Sequence, residues 1–104
     1  MDQKVILNKI RKSIHDKDPA AKAVLFGSRA RGDNRADSDW DVLILIENDS
    51  VTNDIEDSFR DDLYRIELES GQIISAFIYS KKFWETKLRF SPLYKSVARE
   101  GVSL

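Results

Sequence analysis

The sequence predicts an α/β (α+β) domain with a small mixed β-sheet flanked by helices. Three observations carry that expectation. Helical and strand patterns follow one another as helix, strand, loop, strand, helix, strand, helix, helix, and strand–helix–strand crossovers are the building units of mixed sheets. The second strand contains Val42-Leu43-Ile44-Leu45-Ile46, apolar at every position, which suits a central strand covered on both faces. The chain has 104 residues, 41% of them hydrophobic and 34% charged. That supports one core under a charged surface, so residues 1–104 are read as a single domain, with helices on one side of a sheet as the upper limit.

Each element has its own signal. Val5, Ile6, Ile10 and Ile14 recur at helical spacing, so residues 2–16 read as an amphipathic helix, broken at Asp18-Pro19. Ala23 to Phe26 is a short apolar run ending at Gly27, the pattern of a buried strand. The polar stretch from Gly27 to Ser38 reads as a loop, with Ser28 to Arg31 as a helical turn inside it. Asp39 to Ile46 is the second strand, ended by the turn chemistry of Glu47-Asn48-Asp49-Ser50. Ile55, Phe59, Leu63 and Ile66 fall at i, i+4, i+8 and i+11, giving a helix over 52–69 with Gly71 just past its end. Gln72 to Tyr79 is the third strand and Lys81 to Lys87 a helix. Ser91-Pro92 is an N-cap followed by proline at the first helical position, and Gly101 closes that last helix.

Composition excludes several chemistries. There are no cysteines, hence no disulfide, zinc-thiolate site or cysteine nucleophile. The single histidine, His15, lies in a charged stretch and reads as a surface residue, so a Ser-His-Asp triad has no support. Net charge is −1, without the overall basicity of a nucleic-acid binder. The charge is uneven: residues 81–104 carry 6 Lys/Arg against 2 Asp/Glu, and residues 1–80 carry 11 against 16. That basic tail reads first as a solvated helix face and second as a patch for phosphates or an acidic partner. Phe83, Trp84, Phe90 and Tyr94 beside it read mainly as packing, with a partner or self-association surface as the alternative. The N-terminus lacks a signal-peptide pattern, and no stretch reaches the ~20 apolar residues of a membrane span. The expectation is a cytoplasmic protein.

The informative block is Gly27-Ser28 followed ten residues later by Asp39-Trp40-Asp41. A glycine at a strand end turns the chain sharply and lets backbone approach a phosphate. Amides opening a helical turn donate to phosphate oxygens, and the Ser28 hydroxyl adds a donor. Residues i and i+2 of a strand share a face, so Asp39 and Asp41 present two carboxylates together. They repel unless a cation joins them, and Mg2+, which takes one or two carboxylates plus phosphate oxygens, suits that place. Arg29, Arg31 and Arg35 lie in the same loop. They serve either as phosphate ligands, Arg29 and Arg31 foremost because they are nearest Ser28, or as partners of Asp33, Asp37 and Asp39 that hold the loop. A P-loop is excluded because Asp33 stands where its lysine belongs, and no Gly-x-Gly-x-x-Gly is present.

Phe26-Gly27-Ser28-Arg29-Ala30-Arg31-Gly32 followed by Ser38-Asp39-Trp40-Asp41-Val42 resembles the signature of the DNA-polymerase-β-like nucleotidyltransferase superfamily. The similarity is closest to its minimal nucleotidyltransferase branch, whose members pair with HEPN-domain proteins in toxin–antitoxin systems. It rests directly on residues 23–46. The resemblance implies a nucleotidyltransferase fold, with Gly27, Ser28, Arg29 and Arg31 on the nucleotide and Asp39 and Asp41 as catalytic ligands of Mg2+ (or Mn2+). It implies transfer of a nucleoside monophosphate, AMP from ATP, to a hydroxyl, with a HEPN toxin as partner and acceptor. Self-association is left open.

The chain departs from that family at one place. Active members carry a third carboxylate on a later strand, and the aligned residue here is Ser75, which cannot ionise. Glu67 and Glu69 are the nearest replacements, but they fall on the preceding helix. Two readings follow: a metal-dependent transferase, or a nucleotide-binding antitoxin-like module with little turnover that acts by docking on its partner.

Overall fold

The computed structural model describes residues 1–104. Helix α1 spans Gln3–Lys17, strand β1 Lys22–Phe26, α2 Ser28–Arg31, β2 Trp40–Ile46, α3 Asn53–Ser70, β3 Ile74–Ser80, α4 Lys81–Thr86, α5 Pro92–Glu100 and β4 Val102–Ser103. The helix starts follow side-chain chemistry. Asp2, Thr52, Ser80 and Ser91 each accept a hydrogen bond from a first-turn amide, satisfying one of the donors a helix leaves orphaned. Gly71 ends α3 at φ 71°, in the left-handed region where a side chain is disfavoured.

The four strands form one sheet in the order β3-β2-β1-β4. β2 runs parallel to β3 and antiparallel to β1. β2 therefore has a neighbour on each side, and its apolar run follows from cover on both faces. Its alternate residues feed two cores. Trp40, Val42, Ile44 and Ile46 face α1 and α3, joining Ile6, Ile10, Ile14, Phe59, Leu63 and Ile66. Leu43 and Leu45 point the other way, onto Val24, Phe26 and Trp84, with Leu93, Tyr94 and Val97 of α5 alongside. Each such large side chain stabilises the fold by about 1.5–3 kcal/mol on burial.

Two expectations are corrected. Helices on one side were set as the limit, but the short α4 and α5 supply a second layer. Aromatic packing makes that small layer possible: Trp84 lies 5.1 Å from Tyr94 and 6.0 Å from Tyr79, ring centre to ring centre. Phe90, by contrast, is 82% exposed. The second correction is β4, which sequence patterning did not indicate. It is two exposed residues, too short to show a period, and pairs Val102 and Ser103 with Leu25 and Val24.

No helix is long and apolar enough to cross a membrane. His15 is half-buried rather than a free surface residue, with Nε2 3.0 Å from the Leu104 carbonyl oxygen. Of the basic tail, Lys81 binds Glu47, while Lys82, Lys87, Arg89, Lys95 and Arg99 are exposed.

Candidate active site

The sheet brings the marked residues to one edge. β1 ends at Phe26, and the chain turns at Gly27 (φ 77°) into α2, which closes at Gly32 (φ 83°). The antiparallel register sets Asp41 beside Phe26, and the parallel register sets Ser75 on the other side of Asp41. Asp39 stands just before β2, exposed, while Asp41 is half-buried. The Ser75 hydroxyl donates to Asp39 Oδ2 at 3.1 Å. The strand position expected for a third carboxylate thus adjoins the pair, and it holds a neutral hydroxyl.

Gly27 has a second task. A Cβ there would collide with the Asp41 carboxylate, its Cγ only 3.1 Å away. The glycine makes room for an acid as well as turning the chain. Burial raises the Asp41 carboxyl above its ordinary pKa, and the charges of Asp39 and Glu100 raise it further, while Arg31 opposes them. An acid held uncomfortably beside a second acid is a recurrent mark of a functional site.

The two leading arginines separate. Arg31 points into the site region, its Nη1 2.6 Å from Glu100 and its Nε 3.1 Å from Asp33. Arg29 turns inward and is only 9% exposed. Its guanidinium donates to the carbonyls of Ala36 and Ser38 and to Gln72 Oε1 at 2.8–3.2 Å, and it stacks 4.5 Å over the Trp40 ring. Arg29 therefore holds the loop that presents Asp39, because a buried guanidinium needs all its donors met. Its expected place on the phosphates is corrected to this one. Arg35 is exposed.

The proposed replacements for the third carboxylate are occupied elsewhere. Glu67 accepts from the Ile74 amide at 3.0 Å, and Glu69 pairs with Lys9 at 3.1 Å. Gln72 and Glu100 are the residues that sequence reasoning missed. Each lies far along the chain from its partner arginine, and no local pattern reports such a pairing.

The donor set suits a hard divalent cation. Two carboxylates lie at one edge, one of them raised by burial and then by the other's charge, and a cation would relieve both. No third His, Cys, Asp or Glu completes a protein cage, which fits Mg2+, an ion that keeps water and phosphate oxygens among its ligands. No cavity opens at Asp39 and Asp41. The largest, about 460 Å³, lies between α1 and α3, where Lys9–Glu69, Lys12–Asp16 and Lys17–Asp62 neutralise one another. The acidic edge is open, and the groove is not at it.

Comparison with known proteins bears on the family and the fold. The family profile described as nucleotidyltransferase domain matches residues 7–100. The chain is 33% identical over 81 residues to a protein of Methanocaldococcus jannaschii named as a protein adenylyltransferase, covering 77% of this chain and 73% of the relative. Among solved structures, it is similar to a toxin–antitoxin complex with AMP-PNP, with a TM-score of 0.64 and 22% identity over 92% of this chain and 69% of that one. It is also similar to a chain of a complex between a tri-AMPylated HEPN toxin of Shewanella oneidensis and an MNT antitoxin. There the TM-score is 0.61 and the identity 20%, over 98% of this chain and 71% of that one.

Proposed function

The chain belongs to the nucleotidyltransferase domain family, and from that premise we propose that it transfers AMP from ATP to a hydroxyl of a partner protein. The observation that carries this reading is the pairing of Asp39 and Asp41 at the edge that Gly27 and Ser28 open. Ser28 and the first amides of α2, which have no partner within their own helix, bind the triphosphate. Arg31 adds a guanidinium fork for phosphate oxygens. Asp39 and Asp41 hold Mg2+ (or Mn2+), which when bound supplies neutralisation of the charge developing at the α-phosphorus.

The partner is a HEPN-domain protein. Supporting this, the adenylyltransferase relative is named for a protein acceptor, and the similar complexes are toxin–antitoxin pairs, one with an AMPylated HEPN toxin. An acceptor on a protein also suits the open edge, since the missing wall can come from the partner. In the cytoplasm this chain then acts as the antitoxin, by modification.

A second reading has an observation of its own. Ser75 stands beside Asp41 where a carboxylate was expected, so the chain is instead a nucleotide-binding module that restrains its partner by docking. Incubation with α-labelled ATP, Mg2+ and a HEPN-domain protein separates the two. Label on a partner hydroxyl establishes the transferase. A stable complex that never takes label supports the docking module and ends the enzyme reading.

A further inference from the structure

The end of α5 is fixed to the site by close packing. Gly101 has no room for a Cβ, which would lie 2.7 Å from Val24 Cγ1 and 2.5 Å from the Val97 carbonyl oxygen. Leu25 and Val24 then pair with Val102 and Ser103. The chain on both sides of Gly101 is therefore held against β1, and Glu100 is aimed at α2. Its side chain is only 11% exposed and lies 2.6 Å from Arg31 Nη1. Asp33 takes Arg31 Nε, so two carboxylates share one guanidinium. Arg31 is also the only cation acting on Asp41, and Arg29 is spent on the loop carbonyls.

We infer that Glu100 is a latch: it holds Arg31 and competes with the triphosphate for that guanidinium. The inference rests on the proposed nucleotide site and adds a control to it. An incoming triphosphate brings negative charge to an edge where Asp33, Asp39, Asp41 and Glu100 already gather around Arg31. Binding proceeds when Arg31 exchanges a carboxylate for phosphate oxygens, an exchange between two charge-assisted partners of similar kind. The partly buried Glu100 loses its counter-ion in that step, which opposes binding. Movement of α5, whose Leu93, Tyr94 and Val97 pack on the small core, therefore changes affinity at the site.

The test is binding of inorganic tripolyphosphate and of ATP, each with Mg2+, measured by calorimetry on the intact chain. Glu100→Gln keeps the shape and removes the charge, and the latch predicts roughly five-fold tighter tripolyphosphate binding. Arg31→Gln weakens binding, and in the Glu100→Gln/Arg31→Gln pair the gain disappears. Glu100→Asp, which shortens the reach, is the second variant should the first lose its fold, and it too binds tighter than the parent. If the parent binds and the Glu100 variants bind equally or more weakly, or gain affinity without needing Arg31, the latch is wrong while the nucleotide site stands. If neither the parent nor any variant binds ATP or tripolyphosphate, the nucleotide site fails and the latch with it.

Discussion

The Ser75 hydroxyl donates to Asp39 Oδ2 at 3.1 Å, from a strand position that lies directly beside Asp41. A neutral donor thus touches one acid and neighbours the other. Ser75→Asp puts three carboxylates there. The expected outcome is a lower melting temperature in EDTA, recovered by millimolar Mg2+, together with faster transfer if the protein is an enzyme. Thermal melts with and without the metal check the first part. A Ser75→Asp variant insensitive to Mg2+ contradicts a shared metal site.

Asp41 is raised above its ordinary pKa by burial first and by Asp39 next. The sign follows from proton counting: between the unfolded and folded values the folded state binds more protons, so ionising Asp41 as pH rises through that window removes stability. Asp41→Asn should therefore melt higher than the parent at neutral pH, with the gap closing below about pH 4, near the unfolded value. Melting curves across pH test this, and a gap that widens in acid refutes it.

Gly27→Ala combines a positive φ of 77° with a collision on the Asp41 carboxylate. The strain alone costs about 1–3 kcal/mol, and the carboxylate must also move. Chemical denaturation should show a loss of about 2 kcal/mol or more. Gly32→Ala has the same sign of φ but open space around its Cβ, so it should cost less.

Arg29→Lys is not a conservative change. A lysine cannot span the Ala36 and Ser38 carbonyls and Gln72 while stacking on Trp40, because only the planar fork has that geometry. We expect a loss of about 2–3 kcal/mol and faster proteolysis in the loop 33–38. Unchanged stability contradicts the structural role assigned to this arginine.

Much of this was legible in the sequence, for physical reasons. The apolar run 42–46, the spacing of Ile55, Phe59, Leu63 and Ile66, and the Ser91-Pro92 cap each encode local structure through periodicity or backbone chemistry. Gly27, Ser28, Asp39 and Asp41 stand out as a group in the sequence because they are close in the chain, and β1 and β2 bring them to one edge. Ser75 was marked only through the family resemblance, and it is the parallel register of β2 and β3 that sets it beside Asp41. What stayed hidden depends on distant pairing. Nothing near Arg29 distinguishes it from Arg31, since the difference lies in Gln72 and Trp40 for one and Glu100 for the other. β4 likewise rests on pairing with the distant Val24 and Leu25, and two residues carry no pattern.

The most direct test of the account is a calorimetric titration of the protein with ATP, with and without Mg2+, beside the Asp39→Ala/Asp41→Ala variant. Binding that requires Mg2+ and is lost in the variant is the predicted result. Binding indifferent to the metal or to both aspartates, or no binding at all, would contradict a nucleotide site built on this carboxylate pair.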